Sequence, residues 1–219
     1  VVMETEIWPT LLFALRRRRI PTFLANGRLS PRTFDRARRW SFVWKDVWGS
    51  FEGLFMRSEE DRARIVALGA PGERVQVLGD CKVDALLHRR GAPETLSVAP
   101  PCDGPFVLAG STHAGEETVA LEAFRQLRGE CPSLRLILVP RHPERGREVC
   151  QEAQLTGPAG LFSENPGSWT ILVVDRVGVL FSLYRWARGA FVGGSLVPRG
   201  GQNLLEPAAW GVPVVRGPH

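Results

Sequence analysis

The run Gly200-Gly201-Gln202-Asn203-Leu204-Leu205-Glu206 places flexible backbone, two side-chain amides and a carboxylate close together. It follows an apolar strand pattern, Ala190-Phe191-Val192, that ends in Gly193-Gly194-Ser195. It precedes a helix-period segment, Leu204 to Trp210, closed by Gly211 and Pro213. Glycines let backbone N–H groups approach a ligand, and a helix start offers unpaired donors and partial positive charge. A phosphate is the expected guest. Asn203 and Glu206 stand three apart, which is also the spacing of a capping box. The Glu206 carboxylate is equally suited to accept hydrogen bonds from a sugar diol. Sequence alone leaves both roles open.

Other polar groups stand where apolar runs end. Ser111, Thr112 and His113 follow Phe106–Ala109. Arg141 follows Leu134–Val139 and is stiffened by Pro140 and Pro143. A fixed guanidinium suits a phosphate or a base carbonyl, and equally a surface ion pair. Lys82, in the Gly79–Asp84 segment, is either a solvated loop lysine or a cation for a leaving phosphate. Glu4 and Glu6 are two apart, so an extended backbone puts them on one face. The four cysteines are far apart, with no CxxC, HxxxH or Cys/His cluster, so no metal and no disulfide framework are expected. Walker A and GxGxxG motifs are absent, which disfavours an NTPase or a dinucleotide enzyme.

These groups need a scaffold that brings strand ends together. Strand patterns at Val1–Met3, Ile20–Asn26, Leu54–Met56 and Val75–Leu78 alternate with helix patterns at Thr10–Arg17, Pro31–Trp48 and Ser58–Leu68. A second series has strands at 106–109, 134–139, 169–174 and 190–192. Its helices are expected at 115–129, 144–154 and 179–187. Such alternation gives parallel, doubly wound sheets whose ligands bind at the carboxyl ends of the strands. The loops Gly110–His113, Pro140–His142, Asp175–Gly178 and Gly200–Glu206 therefore converge at one sheet edge. The Pro/Gly-rich stretch 93–105 is the expected linker, between residues 1–92 and residues 106–219.

The chain has 219 residues and a formal net charge of +5, which suits anionic partners. Residues 1–48 hold ten basic against four acidic side chains. The same region carries Trp40, Trp44 and Trp48 at helical spacing, a packing face or a wall for an anionic lipid surface. No apolar run reaches the roughly 20 residues of a membrane span. Both ends read as interior to a domain, so a piece of a longer protein is expected.

Several blocks together resemble a known family. They are Met3-Glu4-Thr5-Glu6-Ile7-Trp8-Pro9, Ala25-Asn26-Gly27-Arg28-Leu29-Ser30, and Gly110-Ser111-Thr112-His113-Ala114-Gly115-Glu116-Glu117. To these add Leu138–Arg145, Phe191–Val197 and Gly200–Pro207. In this order the chain resembles the 3-deoxy-D-manno-octulosonic acid (Kdo) transferases of bacterial lipopolysaccharide synthesis. The resemblance implies a GT-B fold with two Rossmann-like domains facing a cleft, both incomplete here. It implies transfer of Kdo from CMP-Kdo to a lipid A precursor at the cytoplasmic face of the inner membrane, with no metal or other cofactor and no nucleic-acid partner.

Residue by residue, the resemblance makes Glu4 and Lys82 transition-state stabilisers. It gives CMP binding to Pro140, Arg141, Val177, Gly178, Val179, Asn203, Leu204, Leu205 and Glu206, with Ser111, Thr112, His113 and Gln202 as further candidates. The family pattern carries Glu where Val179 stands, His where Gln202 stands and Asp where Arg188 stands. Its general-base Glu lies in a segment before Val1, so the piece alone is expected not to turn over. Another GT-B transferase using a sugar nucleotide, or a non-catalytic basic module on a lipid surface, are the alternative readings.

Overall fold

β-Branched and aromatic runs alternating with amphipathic helices build two all-parallel sheets in this computed structural model, which describes residues 1–96, 99 and 101–219. The chain divides into Val1–Asp84 and Ala85–His219. In the first unit, β1 (Val2–Met3), β2 (Phe23–Gly27), β3 (Gly53–Met56) and β4 (Val75–Val77) lie side by side in chain order. Helices α1 (Pro9–Arg17), α2 (Pro31–Arg38), α3 (Ser41–Trp48) and α4 (Glu59–Ala67) cover them. Leu12, Leu24, Val47, Trp48, Phe51, Leu54, Met56, Ile65 and Leu68 form the core.

Local chemistry sets the helix starts. Ser30 Oγ accepts from the Thr33 N–H at 3.2 Å, and Ser58 Oγ accepts from the Asp61 N–H at 3.2 Å. The single helix expected over 31–48 is broken at Arg39-Trp40, where Trp40 has ψ 30°. The break splits the tryptophan stripe. Trp44 and Trp48 stack at 5.3 Å, with Trp48 in the core, while Trp40 turns outward and is 60% exposed. A loop was expected at Gly79–Asp84, but α5 (Cys81–Gly91) begins there. Its first amides find acceptors: Asn26 Oδ1 takes the Cys81 N–H at 3.2 Å, and Asp80 Oδ1 takes the Lys82 N–H at 3.0 Å.

The last turn of α5 belongs to the second unit. Arg89 lies over the Phe181 ring at 4.5 Å, and Arg90 donates to the Ala209 carbonyl at 2.8 Å. The units therefore divide between Asp84 and Ala85, whereas the sequence placed residues 1–92 together. Part of the expected linker 93–105 is helical, α6 (Pro93–Leu96). Ser97, Val98 and Pro100 of that linker lie outside the described residues.

The second unit contains β5 (Phe106–Thr112), α7 (Glu116–Glu130), β6 (Arg135–Pro140), α8 (Gly146–Gln154), β7 (Ala159–Leu161) and β8 (Ile171–Val173). It continues with α9 (Leu180–Tyr184), β9 (Gly189–Val192), α10 (Leu205–Ala208) and β10 (Val214–Val215). The sheet order is β10-β9-β5-β6-β8-β7. Chain direction across the sheet reverses at β5, with β6 on one side and β9 on the other. This switch point is where open α/β sheets leave a crevice beyond the strand ends. The helix expected over 204–210 is shorter: its regular part is α10 alone, so little helix dipole acts there.

One buried carboxylate fixes the crevice. Glu116, fully buried at the start of α7, accepts from His113 N (2.9 Å) and Gly194 N (2.7 Å) on one oxygen. Its other oxygen accepts from Ser195 N (3.0 Å) and Leu196 N (2.9 Å). Gly193 packs so closely that an added Cβ would fall 2.6 Å from Thr112 Cα and 2.8 Å from Glu116 Oε2. Burial pushes the Glu116 carboxyl up, but the four N–H groups outweigh it and hold it below the ordinary range. A depressed carboxyl adds stability that is complete above the unfolded value near pH 4.5 and is lost as pH falls through the lower folded value. Glu116→Gln turns a charged acceptor into an amide whose NH₂ faces backbone donors. We expect a loss of about 3 kcal/mol, read as a drop of about 6–12 °C in melting temperature. From neutral pH down to about pH 4.5 the wild type and the variant should differ most, and the gap should narrow in stronger acid. An unchanged melting temperature would refute the anchor.

Candidate functional site

The crevice holds a polar cavity of about 230 Å³ lined by Ser111, Arg141, Tyr184, Val192, Gln202, Asn203 and Glu206. Each lining residue is delivered by a strand end or by a helix beside the switch point. Ser111 sits in β5 with φ 54°, a left-handed backbone unusual for a residue with a side chain, at an irregularity in the β5–β6 register. Arg141 follows β6, its N–H held by the Thr112 carbonyl at 2.9 Å. Gln202, Asn203 and Glu206 follow β9 through Gly200 and Gly201, which have φ 83° and 72°. The Gly201 and Gln202 N–H groups bond back to the Gly194 and Gly193 carbonyls at 2.7 and 3.0 Å.

The capping question raised by the sequence has an answer in this geometry. Asn203 Oδ1 accepts from the Leu205 N–H at 3.1 Å, an Asx turn leading into α10, whose N-cap position is Leu204. Glu206 lines the cavity. Burial pushes its carboxyl up, while Arg89, the Asn203 side chain and Arg141 pull it down. The result is a half-buried acid raised above its ordinary value, with cations close by.

Of the sequence-selected residues, Ser111, Arg141, Gln202, Asn203 and Glu206 come together here. Pro140 is the buried last residue of β6. Leu204 and Leu205 form the start of α10, half-buried and exposed, outside the lining. Val177 is 78% exposed, Gly178 has φ 91°, and Val179 packs against the core; none of the three lines the cavity. Thr112 is spent on structure, donating to Glu117 Oε1 at 2.9 Å. His113 lies edge-on to His142, ring centroids 6.0 Å apart. Sequence reasoning missed Tyr184, which reads as one more apolar-face residue of a short helix. Among the described residues no group of three or more His, Cys, Asp or Glu is placed to hold a metal ion.

In the first unit, Glu4 and Lys82 meet directly. Lys82 Nζ lies 2.6 Å from Glu4 Oε1, and Arg28 Nε lies 3.6 Å from Glu4 Oε2. Glu4 follows β1 with φ 53°, and its N–H is held by the Ala25 carbonyl at 2.9 Å. Lys82 stands in the first turn of α5, not in a loop. Its hydrogen bond lowers the Glu4 carboxyl, against a smaller opposing push from burial. The pair presents one anion and one cation at neighbouring points, both partly open to solvent.

Comparison with known proteins follows the same division. Residues 1–85 match the family model described as 3-Deoxy-D-manno-octulosonic-acid transferase (kdotransferase). The whole chain aligns with the 3-deoxy-D-manno-octulosonic acid transferase of Haemophilus influenzae at 36% identity, covering 53% of that protein. It aligns with the Aquifex aeolicus transferase of the same name at 34% identity, covering 55%. The chain thus spans about half the length of these relatives. The UDP-GlcNAc 2-epimerase of Neisseria meningitidis, solved with UDP-GlcNAc, superposes with a TM-score of 0.61 at 15% identity, covering 94% of this chain and 54% of the epimerase. That likeness establishes the fold, Rossmann-like units of the GT-B type.

The Glu4–Lys82 pair can be tested directly. Lys82→Met should move the Glu4 carboxyl upward, toward its ordinary value of 4.5. A carboxyl-carbon NMR titration reads this, and an unmoved Glu4 would refute the pairing in solution.

Proposed function

This chain belongs to the 3-deoxy-D-manno-octulosonic acid transferase family, and on that premise we propose that the whole protein moves Kdo from CMP-Kdo to a lipid A precursor. The observation that carries the reading is the gathering of Arg141, Gln202, Asn203 and Glu206 at one polar cavity beside the switch point of the second sheet. The guanidinium of Arg141 takes the phosphate, and the Glu206 carboxylate takes sugar hydroxyls.

In this reaction the bond between the anomeric carbon of Kdo and the CMP phosphate oxygen breaks. The electron pair leaves with CMP, and an acceptor hydroxyl oxygen bonds to the anomeric carbon while its proton passes to a general base. The sugar carries oxocarbenium-like positive charge midway. A carboxylate such as Glu4 stabilises that charge, and an ammonium such as Lys82 stabilises the phosphate that departs. Free of substrate, the two neutralise each other at 2.6 Å.

We assign the acceptor side to the first unit. An apolar hollow of about 530 Å³ is lined by Thr33, Arg36, Ala37, Trp40, Val43 and Trp44. Trp40 is 60% and Phe42 69% exposed beside it. Exposed aromatics among arginines suit the headgroup region of an anionic bilayer, here the cytoplasmic face of the bacterial inner membrane. Among the described residues no helix is long and apolar enough to cross a membrane.

Two measurements test this reading. By titration calorimetry the chain should bind CMP, and Arg141→Ala with Glu206→Ala should weaken binding at least about 100-fold, since two charge-assisted contacts are lost. Equal affinity would refute the donor site. Vesicles containing anionic lipid should bind the chain, and Trp40→Ala with Phe42→Ala should weaken that binding about tenfold or more. Retention of full binding by the variant would remove the lipid face.

A further inference from the structure

Tyr184 is 1% exposed, yet it lines the polar cavity. No hydrogen bond reaches its phenol oxygen among the described residues. The phenol oxygen is not among the fully buried partnerless atoms, so the tip opens onto the cavity and can take a partner there. The surrounding backbone keeps room for the hydroxyl. β5 carries Gly110 against it, and a Cβ at 110 would collide with the Tyr184 hydroxyl and lie 3.1 Å from ring atom Cζ. The same ring packs in the core between α9 and the sheet, so the side chain is held in place up to its polar tip.

The cavity's chemistry says what the tip faces. Ionised Glu206 can only accept hydrogen bonds, and a protonated phenol can donate one. A phosphate oxygen accepts only and is matched by Arg141. A hydroxyl both donates and accepts, so a single ribose hydroxyl can meet a donor and an acceptor that line the same cavity. Resting on the donor-nucleotide reading above, we propose that Tyr184 and Glu206 form the ribose-hydroxyl subsite of the cavity, the phenol donating to, and the carboxylate accepting from, one ribose hydroxyl. Tyr184 is then a specificity-determining residue that separates ribonucleotides from their deoxy analogues. Burial and then the Glu206 charge push the phenol up, so it remains a donor across the neutral range.

Tyr184→Phe removes the hydroxyl and keeps the ring. CMP, 2′-deoxy-CMP and 3′-deoxy-CMP are titrated into the 219-residue chain and into the variant, with melting temperatures measured alongside. In the wild type at least one deoxy analogue should bind about five- to tenfold weaker than CMP. In the variant, CMP should weaken to the level of that analogue and the difference should disappear. The melting temperature should stay level, because no protein partner is lost. Undiminished discrimination by the variant would overturn the subsite while leaving the donor site intact. So would an equal weakening of all three ligands together with a lower melting temperature, which makes Tyr184 a packing residue. Absence of CMP binding by the wild type would overturn both this subsite and the reading beneath it.

Discussion

The crevice beside the switch point depends on a carboxylate without access to water. Desolvating Glu116 costs several kcal/mol, and charge-assisted hydrogen bonds return about 1.5–3 kcal/mol each. Four backbone N–H groups meet its two oxygens, enough for the ionised form to win. Next to it, Glu117 accepts from Thr112 and from Arg145, the latter at 2.8 Å. Two adjacent acids at the start of α7 thus bind the end of β5, the glycine loop after β9 and the turn after β6. The loops around the cavity are thus held by ionic hydrogen bonds to backbone and side-chain donors.

A division of labour follows. At the scaffold, both Glu116 oxygens and the Thr112 hydroxyl have partners inside the protein, while Glu117 bonds through Oε1 alone. In the cavity lining, Asn203 bonds to the Leu205 N–H, whereas the Tyr184 phenol reaches the open space. In the first unit Glu4 and Lys82 satisfy each other directly. Left-handed backbone at Glu4 and Ser111 marks the same contrast, since both residues hold strained conformations immediately after or within a strand that feeds a site.

Much of this was legible in the chain. The alternation of strand and helix patterns gave the parallel sheets, and the polar residues after apolar runs gave Ser111, Arg141, Asn203 and Glu206 their common edge. The misses have physical causes. The 31–48 pattern continues through Arg39-Trp40, so periodicity could not reveal the break there. The α5 start depends on Asn26, far back in the chain, supplying an acceptor. Glu116 looks like an ordinary acid in a first helical turn, and Tyr184 like a core aromatic; their roles exist only once β5, α9 and β9 are neighbours. The expected Val177–Val179 contact followed family position, and in this structure that loop lies outside the cavity lining.

The bonds from Glu116 reach residues 78, 79 and 80 positions further along the chain. Such distant closures carry a large loop entropy and form slowly. During synthesis the β5–α7 turn emerges early and waits, its carboxylate hydrated, until β9 is made and pairs beside β5. The polar cavity is therefore among the last parts of its unit to acquire shape, and a nascent chain stalled before Gly193 would possess most of a sheet but no closed crevice.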